Sequence, residues 1–403
     1  MTERLEGVMQ RFSKTMAGLL ALTAGVAHAQ AVPPAIVDTT PARNVAPRTT
    51  TLGGQLTVPR GVQVAKFADV RGARAMVVGP DGSVYVSVPR THEIHRLRDT
   101  DGDGVADQVG VVLAQGAGLD RPHGMAFHAG KFFVANTGGV VRFALDASGV
   151  PTGTGEKLNS YDAGGGHWTR SIVFGADGKM YVSIGSTCNV CIEKTPERAA
   201  VMVYDADGKN GRVYSSGLRN AVGMAWHPAT KRLWVTQHER DNLKPDHQDL
   251  PQEEINILAD GADYGWPYCH GDRVPNPEFA DAARCARTAP PALRMQAHSA
   301  PLGITFLDKA TALPRELRGD ALVAFHGSWN RNEPTGAKVV RVRVRNGKPV
   351  SYEDFIAGWQ DASGKRWGRP VDFAVLGDGS VLVSDDMSGA VFRVTAARES
   401  AGR

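Results

Sequence analysis

The chain has 403 residues, 42% hydrophobic and 22% charged, with a formal net charge of +4 and no run of five or six basic residues. This is ordinary globular composition, which excludes a disordered or fibrous chain, and so weak and dispersed a positive charge excludes a nucleic-acid footprint. The 46 glycines and 23 prolines are turn residues, so many short strands are expected rather than long helices.

The chain begins with a targeting pattern. Arg11 and Lys14 precede a short apolar stretch, Met16–Val26, and Ala27-His28-Ala29 has small residues at the positions a signal peptidase reads. Residues 1–29 are therefore expected to be a signal peptide. The apolar stretch has about half of the roughly 20 residues a membrane span needs, and no later stretch is longer, so no span is expected. Residues 30–58 are expected to be an extended lead-in and 59–398 the folded domain. Export implies a periplasmic or secreted protein whose four cysteines form disulfides. Cys269 and Cys285 would close a loop of about 17 residues, contributing roughly 3 kcal/mol. Cys188 and Cys191 make a CNVC loop. It lacks further zinc ligands and a βαβ context, so it reads as a small structural disulfide. Three connectivities are open to four cysteines, and the sequence does not choose among them.

From residue 79 onward a unit recurs: a Gly/Asp turn followed by an alternating apolar strand. It reads GPDGSVYVSV (79–88), HAGKFFVAN (128–136), GADGKMYVSIG (175–185), HPATKRLWVTQ (227–237), a degenerate RGDALVAFHGS (318–328), and LGDGSVLVSDD (376–386). A period of about 50 residues with hairpin turns and no long amphipathic helix is the pattern of propeller blades. Six copies predict an all-β, six-bladed β-propeller with an inserted loop at about 240–300. Either the last strand, 390–397, or the segment before 79 is expected to close the ring. Short helices are expected near 251–259 and 278–287. Asp99–Asp107 (DTDGDGVAD) has the first half of a calcium loop. Its twelfth position is Gly110 rather than Glu, so an acidic turn is the better reading.

The chemistry of a propeller lies in loops at one mouth, where repeats begin and end. Gly164-Gly165-Gly166-His167 precedes the third repeat. Its glycines allow close approach of the backbone to a ligand, and its histidine suits a general base. Arg219-Asn220 follows a glycine before the fourth repeat and offers a planar cationic fork beside an amide. The polar run 236–241 (TQHERD), Glu253-Glu254-Ile255-Asn256 and the segment 264–267 (YGWP) concentrate oxygen donors that suit a hard cation. HGSWNR (326–331) and RWGR (366–369) supply Arg331, Arg366 and Arg369. Three guanidinium groups in two loops point to a multiply anionic ligand.

The ordered series GGGHWTRSIVFGADGKMYVSIGS, SSGLRNAVGMAWHP, EEINILADGADYGWPY, HSAPLGITF, GSWNR and GRPVDFAVLGDG resembles the soluble pyrroloquinoline-quinone (PQQ)-dependent sugar dehydrogenases, including the aldose and sorbosone branch. The resemblance covers about residues 60–395. It implies oxidation of a sugar or alcohol hydroxyl, with hydride passing to the quinone, calcium polarising the quinone, and an unidentified electron acceptor. By position, His167 matches the general base. Arg219, Asn220, His298, Arg366 and Arg369 match quinone contacts, with Arg331 in place of a family lysine. The main-chain carbonyls of Glu239 and Arg240 stand where the glucose-oxidising members bind calcium through a Gly-Pro step. Ser186 replaces the aspartate that orients the histidine in those members. Two other functions compete: a calcium-dependent propeller lactonase, and a non-catalytic propeller binding glycans or partners.

Overall fold

The computed structural model describes residues 48–397 apart from Gly53. The expected signal peptide and the first part of the lead-in lie outside the described residues. Within them the chain forms six four-stranded antiparallel blades. Blade one comprises Met76–Val78, Val84–Val88, Glu93–Arg98 and Gln108–Leu113. Blade two comprises Met125–His128, Lys131–Asn136, Gly139–Leu145 and Pro151–Lys157. Blade three comprises Arg170–Phe174, Met180–Ile184, Ala200–Tyr204 and Arg212–Ser215. Blade four comprises Ala221–Trp226, Leu233–Gln237, Glu253–Ile257 and Leu293–Met295, and blade five Pro301–Phe306, Ala321–Phe325, Lys338–Arg345 and Lys348–Ile356.

Blade six is built from both ends of the domain: Pro370–Val375, Val381–Asp385 and Ala390–Ala396, with Val62–Asp69 as its outermost strand. The sequence posed the last strand and the segment before 79 as alternatives for closing the ring. The two pair with each other, Val394 opposite Val64 and Ala390 opposite Asp69. Residues Arg48–Thr51 and Leu56–Pro59 form a hairpin, and Leu56 and Val58 are buried in the core between blades five and six.

Each recurring sequence unit becomes the second strand of a blade together with the turn that enters it. In the DG turns the aspartate accepts from a backbone N–H two residues on: Asp81 from Ser83, Asp177 from Lys179, and Asp378 from Ser380. This Asx geometry fixes the register of the following strand. The sequence pattern read as half-buried strands, but the second strands of blades one, three, four, five and six are buried at every position. The reason is the architecture: a blade's two faces both pack on neighbouring blades. The cores accordingly lie at the seams, for example Phe133, Ala135 and Val140 of blade two against Ile172, Val182 and Met202 of blade three.

The expected helix at 251–259 is a strand, Glu253–Ile257, because ladder pairing to Trp234–Gln237 overrides the local preference. The single α-helix among the described residues, Ala282–Cys285, does lie in the second expected segment. The segment 240–300, expected as one inserted loop, contains the third and fourth strands of blade four, and the longer loop within it, 258–292, separates them. It is stapled by a Cys269–Cys285 disulfide, and Cys188 pairs with Cys191. In the acidic segment of blade one, Asp99 accepts from the main-chain N–H groups of Gly102 and Gly104. No helix among the described residues is long and apolar enough to cross a membrane.

Candidate active site

Blade geometry gathers the candidate residues. In an antiparallel first-to-second strand pair, the start of one strand faces the end of the other. Arg170 is opposite Ile184, Ala221 opposite Gln237, Pro301 opposite Phe325, and Pro370 opposite Asp385. The residues just before each first strand and just after each second strand therefore share one rim. His167, Arg219, Asn220, His298, Arg366 and Arg369 belong to the first set. Ser186, His238, Asp241, His326 and Asp386 belong to the second.

Two glycines make the histidine side of this rim possible. Gly165 has φ of 89°, and a Cβ there would lie 2.4 Å from Thr187 Cα. A Cβ on Gly185 would lie 2.5 Å from Asn220 Oδ1 and 2.6 Å from His167 Cβ, so Gly185 is what lets His167 and Asn220 approach each other. The GGGH loop is held from beneath by two buried guanidinium groups. Arg170 donates to His167 O (2.8 Å) and Thr169 O (2.9 Å). Arg198 donates to Gly185 O at 3.0 Å and also to Gly164 O.

His167 Nδ1 lies 2.8 Å from Ser186 Oγ and 3.0 Å from Ser186 O. The Ser186 hydroxyl donates its proton to Cys188 O (2.7 Å). Both atoms facing Nδ1 are therefore acceptors, Nδ1 carries the hydrogen, and Nε2 is left with its lone pair. Burial pushes the imidazole down to about 4, with the Arg219 charge acting in the same sense. The ring is neutral at pH 7.

Arg219 is buried and fully engaged. It donates to Asn189 O (3.1 Å) and Asn189 Oδ1 (2.9 Å) and pairs with Asp241 (3.2 Å). Asp241 is a junction: His298 Nδ1 is 3.6 Å away, and Asn330 Nδ2 donates to it at 2.9 Å. Burial works against its charge, but His298 and Arg219 outweigh that and hold the carboxyl low. Asn330 belongs to the loop between the second and third strands of blade five, and Ser328 O in that same loop accepts from Arg366 (2.7 Å). Beyond it, Arg369 donates to His326, His326 Nε2 lies 3.1 Å from Asp386, and Asp386 pairs with Arg74 at 2.7 Å. Two sets of contacts, one around Asp241 and one around His326 and Asp386, thus meet at the loop 326–331.

Three further residues are engaged with neighbouring loops or buried groups. Arg331, largely buried, pairs with Asp249 at 2.7 Å and also donates to Gln248 O. The Arg240 side chain turns to the inserted loop, donating to Glu278 (2.6 Å) and Asn276 (3.2 Å). Glu239 is buried under blade four beside Gln237, whose amide donates to it at 2.5 Å. There it joins Glu253 and Glu254, both fully buried, and burial pushes Glu253 up to about 7 and Glu254 well above its ordinary range.

Six participants were given no role of their own in the sequence: Asn189, Asp386 and Arg74 lay outside the candidate segments, while His238, Asp241 and His326 appeared only within the segments 236–241 and 326–331. A signal was present for three of them. His238, His326 and Asp386 each follow a second strand directly, the place Ser186 nearly occupies in blade three, so aligning the repeats to their last residue finds them. Arg74 and Asn189 had no such mark.

A family model described as TrAA12-like matches residues 56–397. The chain belongs to that family. Among relatives, the pyrroloquinoline quinone-dependent pyranose dehydrogenase of Coprinopsis cinerea is 26% identical over 413 residues, covering 85% of this chain and 52% of its own length. The pyrroloquinoline quinone-dependent sugar dehydrogenase of Hypocrea jecorina is 26% identical over 235 residues, covering 47% and 51%. The chain thus spans about half the length of these curated relatives. Among solved structures, the calcium structure of the Trichoderma reesei Family AA12 enzyme has a TM-score of 0.75 at 21% identity, covering 85% of this chain and 97% of that one. The holo pyranose dehydrogenase PQQ domain from Coprinopsis cinerea has a TM-score of 0.70 at 22% identity, covering 86% and 100%. At these identities the structural likeness speaks for the fold, a family propeller whose rim carries the residues described above.

Proposed function

We propose that the protein is a PQQ-dependent oxidoreductase that oxidises a hydroxyl of a sugar or alcohol, and that it works outside the cytoplasm. Membership of the family and the names of its relatives support the reaction class. The observation that carries the reading is a neutral histidine, its Nε2 unprotonated, on the same rim as Arg219, Arg366 and Arg369.

The residues present fit a flat, multiply anionic quinone. Arg74 Nε and His298 Nε2 are buried with no partner, which is what donors awaiting an anionic ligand look like. Arg219, Asn220, His298, Arg366 and Arg369 would hold the group, and Arg331, paired with Asp249, would contribute only charge. The residues also fit calcium. Glu239, Glu253 and Glu254 are crowded and buried, and Gln237 Oε1 and Asn256 Oδ1 beside them have no hydrogen-bond partner. An all-oxygen donor set of this kind suits a hard cation, and the carbonyls of Glu239 and Arg240 would add to it. When bound, the quinone accepts the hydride and calcium strengthens it as an electrophile.

The chain's own work is proton removal and orientation. His167 Nε2 takes the substrate hydroxyl proton, and Ser186 keeps the ring in the tautomer that can do so. The imidazolium that forms is cationic and sits near Arg219, which makes His167 a weak base until anionic charge arrives on the rim. Arg219, Arg366 and Arg369 would bring that charge by holding an anionic group, so the site would become basic only when loaded.

The test is titration of the apoprotein with PQQ, with and without calcium, followed by dye reduction with a panel of aldoses and alcohols. Saturable binding and sugar-dependent reduction are expected. Lactone hydrolysis without quinone would replace this reading with a hydrolase, and glycan binding without turnover would replace it with a binding module.

A further inference from the structure

The Cys188–Cys191 loop has no role so far beyond that of a covalent staple, yet it touches the base and the guanidinium at once. Cys188 O accepts the Ser186 hydroxyl (2.7 Å), and Ser186 Oγ accepts from His167 Nδ1. The next residue, Asn189, is a hub. Its main-chain O accepts from Arg219 Nε and from Trp266 Nε1, both at 3.1 Å. Its Oδ1 accepts from Arg219 Nη2 (2.9 Å) and from the Asp241 main-chain N–H (2.8 Å), while its Nδ2 donates to Asp241 O (2.9 Å). At the far side of the loop, Glu193 accepts from Thr187 N at 2.6 Å and Thr187 Oγ1 at 2.9 Å.

We propose that the disulfide-closed Cys188–Cys191 loop is a positioning element that fixes the Nδ1–H tautomer of His167 and the direction of the Arg219 guanidinium together, acting through Ser186 and Asn189. The carbonyls of Cys188 and Asn189 are consecutive and both lie inside the closed ring, so their directions are set jointly. Opening the ring frees the two peptide planes, and both sets of bonds are lost at once. Of the two atoms facing Nδ1, the Ser186 carbonyl (3.0 Å) can only accept, whereas the Ser186 hydroxyl (2.8 Å) is a rotor that both donates and accepts and so does not by itself hold the Nδ1–H tautomer. A fixed acceptor for its proton turns it into a one-way acceptor for the ring, and the disulfide loop supplies that acceptor. Ser186 and Asn189 are positioning residues, since each acts through another group.

The experiment uses the full chain without quinone for its first arm, so this arm does not rest on the function proposed above. With ¹⁵N-histidine labelling, long-range ¹H–¹⁵N correlation at pH 7 reads the His167 tautomer, assigned by its loss in His167→Asn. Wild type is expected to show Nδ1–H alone, and the Cys188→Ser/Cys191→Ser double variant a mixture with the Nε2–H form. The second arm, which does rest on that function, measures PQQ affinity. A fall of about tenfold is expected in the double variant and in Asn189→Ala, the size of one lost charge-assisted hydrogen bond. Asn189→Asp keeps the acceptor oxygen and should recover most of the loss. Replacing Cys269 and Cys285 by serine controls for a lost disulfide as such and should change neither readout. An unaltered tautomer in the folded double variant, or unaltered affinity in Asn189→Ala, overturns the proposal. Should the double variant not fold, Asn189→Ala decides, since it keeps the disulfide. Absence of quinone binding by wild type sinks the proposed function instead and leaves the tautomer arm standing.

Discussion

The neutrality of His167 can be measured as stability. Burial and the Arg219 charge push its imidazole from 6.5 down to about 4. The unfolded chain binds the proton first as pH falls, so the native state loses stability progressively below pH 6.5 and stops losing it below about 4. A gap of that size corresponds to about 3 kcal/mol. Replacing His167 by Asn removes the titrating group while keeping a polar side chain that can donate to Ser186. Urea unfolding at pH 7 and pH 4 then gives a difference of differences. Wild type should lose about 3 kcal/mol more than His167→Asn over this interval, read as a larger shift of the urea midpoint at constant slope. Other buried histidines, His123, His238 and His326, are also pushed down by burial, but they are common to both proteins and cancel apart from the small part of the His238 shift that His167 itself causes. Equal losses in the two proteins would mean that His167 is solvated and ordinary, and the tautomer argument would fail with it.

Further outcomes follow from the same geometry. His167→Ala should cut turnover by about 10²–10⁴, the usual span for a general base, with PQQ affinity retained; unchanged turnover in dye-reduction assays would remove it from the chemistry. Arg369→Ala should weaken PQQ binding in fluorescence titrations more than it lowers turnover at saturation. Calcium should raise Tm, by an amount equivalent to about 2.7 kcal/mol at a hundredfold excess over its Kd. That gain should increase from pH 5 to pH 8, because the cation displaces protons from carboxyls such as Glu253, held up to about 7, and Glu239→Gln/Glu254→Gln should abolish it. Phe67→Ala should destabilise by roughly 3–5 kcal/mol in chemical denaturation, because Phe67 is fully buried at the seam where the closing strand meets blade one.

The sequence alone determined the architecture and the reaction class it resembles. Turn chemistry and strand alternation are local, and they recur six times, so 79–88, 128–136 and their later copies announced six blades before any contact was known. His167, Arg219, Asn220 and the RWGR arginines were legible because they flank those repeats. What the tertiary structure decided was everything that depends on neighbouring blades. Alternation predicted strands with one wet face, but strands such as Met180–Ile184 are dry on both, since a blade has two neighbours. The two candidate closing segments proved to be partners rather than rivals. Arg331 and the Arg240 side chain pair with carboxylates on other loops, Asp249 and Glu278. Asn189 entered the rim, within a loop that had read only as a staple. Local patterns fix which segments are strands and which are turns; the direction of a side chain at a mouth is fixed by partners dozens of residues away, and only closing the ring brings those partners into reach.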